Sequence, residues 1–200
     1  MPKLSGKLKL ALWVLLGLNA LLIAWVAVIA PRMEAAALSG LGAGDYELAV
    51  TDGTTFTQAS LVGSPTAVFF GFTHCPDVCP TTLGDISAWQ EDLGGAEALK
   101  VYFVTVDPER DTADILGEYV GWVPGVAGVT GSPEEMDKAL DAFKVYAQKV
   151  PTENDYTMDH SASVLLFDAK GQFVETIRYQ EDHDVAVAQL RKLLGMDASS

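Results

Sequence analysis

Thr66-Ala67-Val68-Phe69-Phe70-Gly71-Phe72 runs through Thr73 into His74-Cys75-Pro76-Asp77-Val78-Cys79-Pro80. The first seven residues carry no charge and are bounded by Pro65 and the cysteines. Such a short apolar run fits a strand buried on both faces. Thr81–Leu93 then read as a helix. A cysteine pair therefore sits where a buried strand meets a helix. Free N–H groups and the positive end of the helix dipole lower thiol pKa values there. At a helix start, a spacing of four puts both sulfurs on one face. Pro76 and Pro80 stiffen the loop and remove two donors.

Outward from this stretch, Lys100–Val106 is a second buried strand. Asp107–Asp111 is a turn, with Asp111 expected to cap a helix over 112–120. Val126–Val129 is a short third strand. Upstream, Tyr46–Val50 is a strand candidate and Asp52-Gly53 a turn. Ser132-Pro133-Glu134-Glu135 starts a helix. It is expected to run to about Val150, with Met136, Leu140, Phe143 and Ala147 on one face. Ser163–Asp168 and Gln172–Tyr179 flank Ala169-Lys170-Gly171 as a hairpin, and 183–194 is a final amphipathic helix. Parallel crossovers followed by an antiparallel hairpin make an α/β domain with one central mixed sheet flanked by helices. A cysteine pair at the junction of the first buried strand and its helix is the thioredoxin-like arrangement. The domain is expected over 46–196, with a C-terminal tail at 197–200.

Ahead of it, residues 10–30 hold 21 residues with no charge and one amide, Asn19. As a helix they rise about 31 Å, close to the thickness of a bilayer's hydrocarbon core. Trp13 and Trp25 lie near the ends of the segment, and Lys3, Lys7 and Lys9 precede it. The expectation is a cytoplasmic N-terminus at 1–9, a transmembrane anchor at 10–30, a linker at 31–45 and an exported domain. A bacterial inner membrane is the expected home, with the domain in the oxidising compartment outside. A cleaved signal peptide is the rival, but its apolar region is usually shorter.

Net charge is −14 over 200 residues, and all 27 acids lie beyond residue 32, against 9 bases. So acidic a body is unsuited to nucleic acid, which needs basic patches. It suits a metal ion or a basic protein face. Two cysteines are too few for a disulfide framework. Two thiolates also fall short of the four ligands of a closed structural zinc site. Two soft sulfurs with one imidazole suit Cu(I), and also serve Zn or Cu(II). His160, in Tyr156-Thr157-Met158-Asp159-His160-Ser161, is the candidate third ligand, expected in the loop entering the Ser163–Asp168 strand, which in this topology faces the cysteines. His74 is expected to point away and tune the site, and His183 to be solvated surface. Asp77 and Asp159 are nearby acids that also serve as turn or cap residues.

Three segments together carry a resemblance. Phe70-Gly71-Phe72-Thr73-His74-Cys75-Pro76-Asp77-Val78-Cys79-Pro80, then Val106-Asp107-Pro108-Glu109-Arg110-Asp111-Thr112, then Asp159-His160-Ser161 resemble the Sco/SenC family. Those are membrane-tethered, thioredoxin-fold copper proteins that help assemble the CuA centre of haem–copper oxidases. The resemblance covers most of 45–195. It implies copper held by Cys75, Cys79 and His160, and a role as a metallochaperone for the CuA-bearing subunit of cytochrome oxidase, with a copper donor and a thiol reductant as further partners. Ala113 stands where the family often has proline. The alternative is a thiol–disulfide oxidoreductase that reduces the CuA-site cysteines, with Cys75 attacking and Cys79 resolving. Peroxide reduction and redox or copper sensing are weaker rivals.

Overall fold

The computed structural model describes residues 6–29, 38 and 40–196. The chain forms two units, 1–39 and 40–200. In the first, α1 (Gly6–Ala24) runs on into π-helical turns at Trp25–Ile29. The α-helical part of the apolar stretch, residues 10–24, rises about 22 Å, short of a hydrocarbon core of about 30 Å. Among the described residues, no helix is long and apolar enough to cross a membrane. The expected anchor over 10–30 is thus divided between two helix types, and its last residue lies outside the described ones. So do 1–5 of the expected N-terminus, most of the expected linker and the tail at 197–200. Within the expected linker, Leu41 is buried and the Gly42 N–H donates to the Ala142 carbonyl at 2.9 Å.

The second unit is built on β1 (Leu48–Val50), β2 (Thr55–Phe56), β3 (Thr66–Gly71), β4 (Lys100–Thr105), β5 (Val126–Thr130), β8 (Val164–Phe167) and β9 (Phe173–Ile177). They form one sheet in the order β2-β1-β5-β4-β3-β8-β9. β3 runs parallel to β4 and antiparallel to β8, and every residue of β3 is buried. Successive side chains of a strand point to opposite faces. Ala67 and Phe69 therefore join a core with Leu83, Ile86, Leu116 and Leu190. Val68 and Phe70 join another with Phe56, Met136, Phe143 and Phe167. The thioredoxin-like α/β fold with a mixed sheet agrees with the sequence reading.

Five helices complete the described chain: α1, then α2 (Val78–Asp92), α3 (Ala113–Val120), α4 (Pro133–Phe143) and α5 (His183–Leu193). α2 starts three residues earlier than the expected Thr81. Pro80 is tolerated because first-turn N–H groups have no intrahelical partner. The first helical bond runs from the Thr81 N–H to the Asp77 carbonyl. Cys79 is thereby a first-turn helical residue. The cap of α3 is Thr112, whose hydroxyl accepts from the Ile115 N–H, and not the expected Asp111. Asp111 is fully buried and turned toward the cysteine loop.

α4 begins as expected, with Ser132 as its cap and Pro133 in its first turn. It stops at Phe143 rather than near Val150. Lys144 takes a left-handed conformation (φ 54°), and the Val145 N–H closes the helix on the Leu140 carbonyl. Ala147 is then the first residue of β6 (Ala147–Pro151), which pairs antiparallel with β7 (Tyr156–His160) in a separate two-stranded sheet. His160 consequently ends a strand, and the expected loop is reduced to residues 161–163.

At the end of β3 the packing leaves no room for a side chain. A Cβ on Gly71 would lie 2.7 Å from Phe103 Cζ and 2.8 Å from Cys79 Sγ. Gly71→Ala should therefore destabilise the domain by about 1–3 kcal/mol through overpacking. Urea unfolding of the reduced protein measures this, and an unchanged midpoint would contradict the packing described.

Candidate metal centre

The cysteine loop is held from below by a buried carboxylate. Asp111 Oδ1 accepts from the Thr73 hydroxyl at 2.6 Å. Its Oδ2 accepts from the Thr73 N–H at 3.0 Å and the Thr105 hydroxyl at 2.6 Å. The Thr130 hydroxyl donates to the Asp111 carbonyl at 2.8 Å. Thr73 is thus fixed two residues before Cys75. The turn back toward α2 is closed by the Cys75 N–H on the Phe72 carbonyl at 3.2 Å.

Cys75 is half-buried, Cys79 fully buried, and both are free thiols. The Cys79 N–H donates to Cys75 Sγ at 3.3 Å. Cys79 Sγ lies 4.0 Å from His160 Nε2. The ligand atoms of Cys75, Cys79 and His160 all fall within 4.8 Å of one another. Among the described residues, no other three His, Cys, Asp or Glu side chains gather so. The imidazole packs edge-on against Phe72, with ring centroids 5.7 Å apart. Its Nδ1 is 2.9 Å from the Ser161 carbonyl. A carbonyl only accepts, so Nδ1 carries the proton. Nε2 then presents a lone pair to the sulfurs when the ring is neutral and donates to them when it is charged.

The two thiols are driven apart. Cys75 is pulled from 9.0 down to about 4, chiefly by a hydrogen bond from the Cys79 thiol and further by His160 and the backbone of Cys79 and Asp77, against the cost of burial. Cys79 is pushed up by that same bond and by burial. These shifts favour a Cys75 thiolate that accepts from a Cys79 S–H. Tyr119 packs on Phe103, and its hydroxyl is buried without a hydrogen-bond partner. Burial, then the charges of Cys79, Cys75 and Asp111, push its phenol up.

The other expected residues lie outside the cluster. His74 is exposed, with Nδ1 3.1 Å from the Thr73 hydroxyl. Asp77 occupies the N-cap position of α2 without a side-chain capping bond. Asp159 is exposed on β7. His183 pairs with Asp92 at 2.7 Å, which raises its pKa. Sequence reasoning missed Asp111, Thr73 and Tyr119. Thr73, Thr105 and Thr130 are hydroxyls at the ends of three apolar runs, a pattern that marks a shared buried acceptor.

A donor set of two thiolates and an imidazole nitrogen, with no carboxylate, fits a soft ion such as Cu(I) and also accommodates Cu(II). The family model described as SCO1/SenC matches residues 35–195. The chain belongs to the SCO1/SenC family. Among relatives of this SCO1/SenC protein, the mitochondrial SCO1 homolog 1 of Arabidopsis thaliana is 39% identical over 147 residues, covering 71% of this chain and 43% of that protein. The mitochondrial SCO2 of Saccharomyces cerevisiae is 32% identical over 155 residues, covering 74% and 52%. The SCO1/SenC chain thus spans about half the length of these curated relatives. In structure it is similar to Bradyrhizobium japonicum ScoI with copper bound, at TM-score 0.70 and 40% identity, covering 76% of this chain and 99% of that one. Yeast Sco1 with copper bound gives 0.69 and 30%, covering 80% and 91%.

Two outcomes follow for this SCO1/SenC domain. Alkylation of Cys75 by iodoacetamide should stay nearly flat between about pH 6 and pH 8 and fall as the pH drops through about 4, because only the thiolate reacts. A rate still climbing steeply between pH 7 and 8, as for an ordinary thiol, would refute the thiolate. Asp111→Asn, which turns an amide N–H₂ toward converging donors, should cost about 1–3 kcal/mol in urea unfolding.

Proposed function

We propose that this protein is a membrane-anchored copper metallochaperone that binds copper through Cys75, Cys79 and His160 and helps assemble the CuA centre of a haem–copper oxidase. The observation that carries the reading is the convergence of those three ligand atoms within 4.8 Å. The relatives solved with copper bound support it, as does the family's role in oxidase assembly. Copper is cargo here. Three protein donors leave room for an acceptor's ligand, so transfer proceeds by replacing one donor at a time. The thiolate form of Cys75 is the form that ligates. A Cys75–Cys79 disulfide offers no thiolate, so reduction of the pair gates uptake.

The anchor reading rests on residues 10–30, with lysines ahead of them. Leu10, Trp13, Leu15, Leu21 and Ile23 all expose most of their surface on α1. Side chains this apolar are stable in lipid rather than water. The positive-inside rule then argues for the thiols and the imidazole lying outside a bacterial inner membrane.

A specific observation also favours thiol–disulfide exchange. A low-pKa Cys75 beside a buried, protonated Cys79 is the asymmetry an attacking and resolving pair needs. The Cys75 thiolate would attack a target disulfide, expel one target thiolate and form a mixed disulfide. Cys79 would then give its proton to the expelled target thiolate and, as thiolate, attack Cys75 Sγ to displace the second target thiolate, leaving Cys75–Cys79 oxidised and the target reduced by two electrons. A thiol reductant must restore the pair.

Cu(II) titration of the reduced full-length chain decides between these roles. One copper per chain is expected, with His160→Ala and Cys75→Ser each weakening binding by about 10- to 100-fold or more. Thiol exchange with a small disulfide should survive His160→Ala. If Cu(II) binding ignores His160, the chaperone reading fails and reductase activity takes its place.

A further inference from the structure

His160 reaches the sulfurs on an arm that shares no backbone ladder with the main sheet. β6 and β7 pair only with each other. Most of β6 is exposed. The main sheet therefore anchors the imidazole only through residues 161–163, which lead into β8, while the far end of the hairpin depends on side-chain contacts. Tyr156, Met158 and His160 alternate along β7, so all three project from one face of it. Met158 packs on the apolar core that contains Met136 and Phe143. His160 meets Cys79. At the other end, about 13 Å away along an extended strand, Tyr156 meets a polar latch.

The latch is fully specified by contacts. The Tyr156 hydroxyl donates to Asp107 Oδ1 at 2.8 Å, and Asp107 is completely buried. Arg110 Nε donates to Asp107 Oδ2. The Arg110 guanidinium lies 3.8 Å from the centre of the Tyr156 ring. Its Nη1 donates to the Tyr156 carbonyl at 3.1 Å and to Asp155 at 3.2 Å. On the neighbouring strand Lys149 pairs with Glu109 at 2.6 Å. A phenol, a carboxylate and a guanidinium thus grip the first residue of the strand whose last residue is the imidazole ligand.

We propose that Tyr156, gripped by Asp107 and Arg110, is the positioning residue that determines whether His160 completes the metal site, and thereby sets the site's preference between Cu(II) and Cu(I). The proposal rests on the copper reading above. With the latch closed, the ion meets two sulfurs and a nitrogen. With it open, the arm swings on its exposed strands and two thiolates remain. Cu(I) is well served by two soft thiolates, whereas Cu(II) depends on the nitrogen donor. Opening therefore costs Cu(II) affinity far more than Cu(I) affinity.

The test uses the full reduced chain, with Cu(II) followed by absorption and electron paramagnetic resonance, and Cu(I) by competition with a chromophoric chelator. Tyr156→Phe removes one hydroxyl and nothing else. It should weaken Cu(II) binding by about 10- to 100-fold, shift the Cu(II) spectrum toward that of His160→Ala, and leave Cu(I) affinity within about threefold of wild type. The double variant Tyr156→Phe/His160→Ala should bind Cu(II) no more weakly than His160→Ala alone, since both changes remove one interaction. A general loss of stability would instead add to it. Amide hydrogen exchange in the copper-free chain gives a second readout: Tyr156→Phe should speed exchange across β6 and β7 and leave β3 and β4 unchanged. Wild-type Cu(II) binding and arm exchange in Tyr156→Phe, beside a weakened His160→Ala, would overturn the latch while sparing the copper site. Cu(II) binding that ignores His160 would overturn both, and that pattern is distinct.

Discussion

One turn holds both halves of the metal centre. Asp107 and Asp111 stand four residues apart, with the Arg110 and Asp111 N–H groups both closing on the Asp107 carbonyl. Asp111 reaches under β3 and fixes Thr73, hence the cysteine loop. Asp107 reaches the other way and fixes Tyr156, hence the arm that carries His160. The Asp107 N–H donates to the Thr105 hydroxyl, and that hydroxyl donates to Asp111, so the two carboxylates share a link. Two acids are buried here because every oxygen has a donor. Without such donors, burial would cost several kcal/mol for each charge.

The halves differ in what they must overcome. Cys75 and Cys79 are joined by a loop and the first turn of α2, so their proximity follows from local geometry once the strand and helix pack. His160 lies 81 residues from Cys79. Its approach depends on the whole domain having folded, on β7 holding its register with β6, and on side-chain contacts to the Asp107–Asp111 turn. A slip of one residue in β7 would turn Tyr156, Met158 and His160 outward together, because strand side chains alternate. The period-two spacing of a phenol, a thioether and an imidazole binds the strand to a latch, a core and a sulfur pair at once.

That division explains which parts were legible in the sequence. β3 was plain because an uncharged run beside a cysteine loop has few other readings. The same holds for β4 and for the start of α4 at Ser132 and Pro133. The end of α4 was not, since Lys144 adopts a left-handed conformation usually left to glycine or asparagine, and Ala147 continues the apolar spacing of the helix by coincidence. Missing that stop hid β6, and with β6 went the reason His160 sits on a strand. Asp111 reads as a helix cap when judged by its neighbours. Its real partners, Thr73 and Thr105, lie on other segments. Local rules recover capping and burial, but a carboxylate's choice between a helix start and a remote hydroxyl is settled by tertiary packing.

Burial also orders the chemistry. Cys79 is sealed beneath the loop, between Gly71 and the core, while Cys75 and His160 remain partly open to solvent. On the proposed copper reading, an incoming donor would displace the imidazole or Cys75 before Cys79. The last protein bond to a departing metal would then be to the buried sulfur, whose pKa the bond to Cys75 and burial push up in the metal-free site. Once the metal had left, that sulfur would take up a proton and again donate its hydrogen bond to Cys75. On that reading the depth of each sulfur sets the order in which the ligands are exchanged.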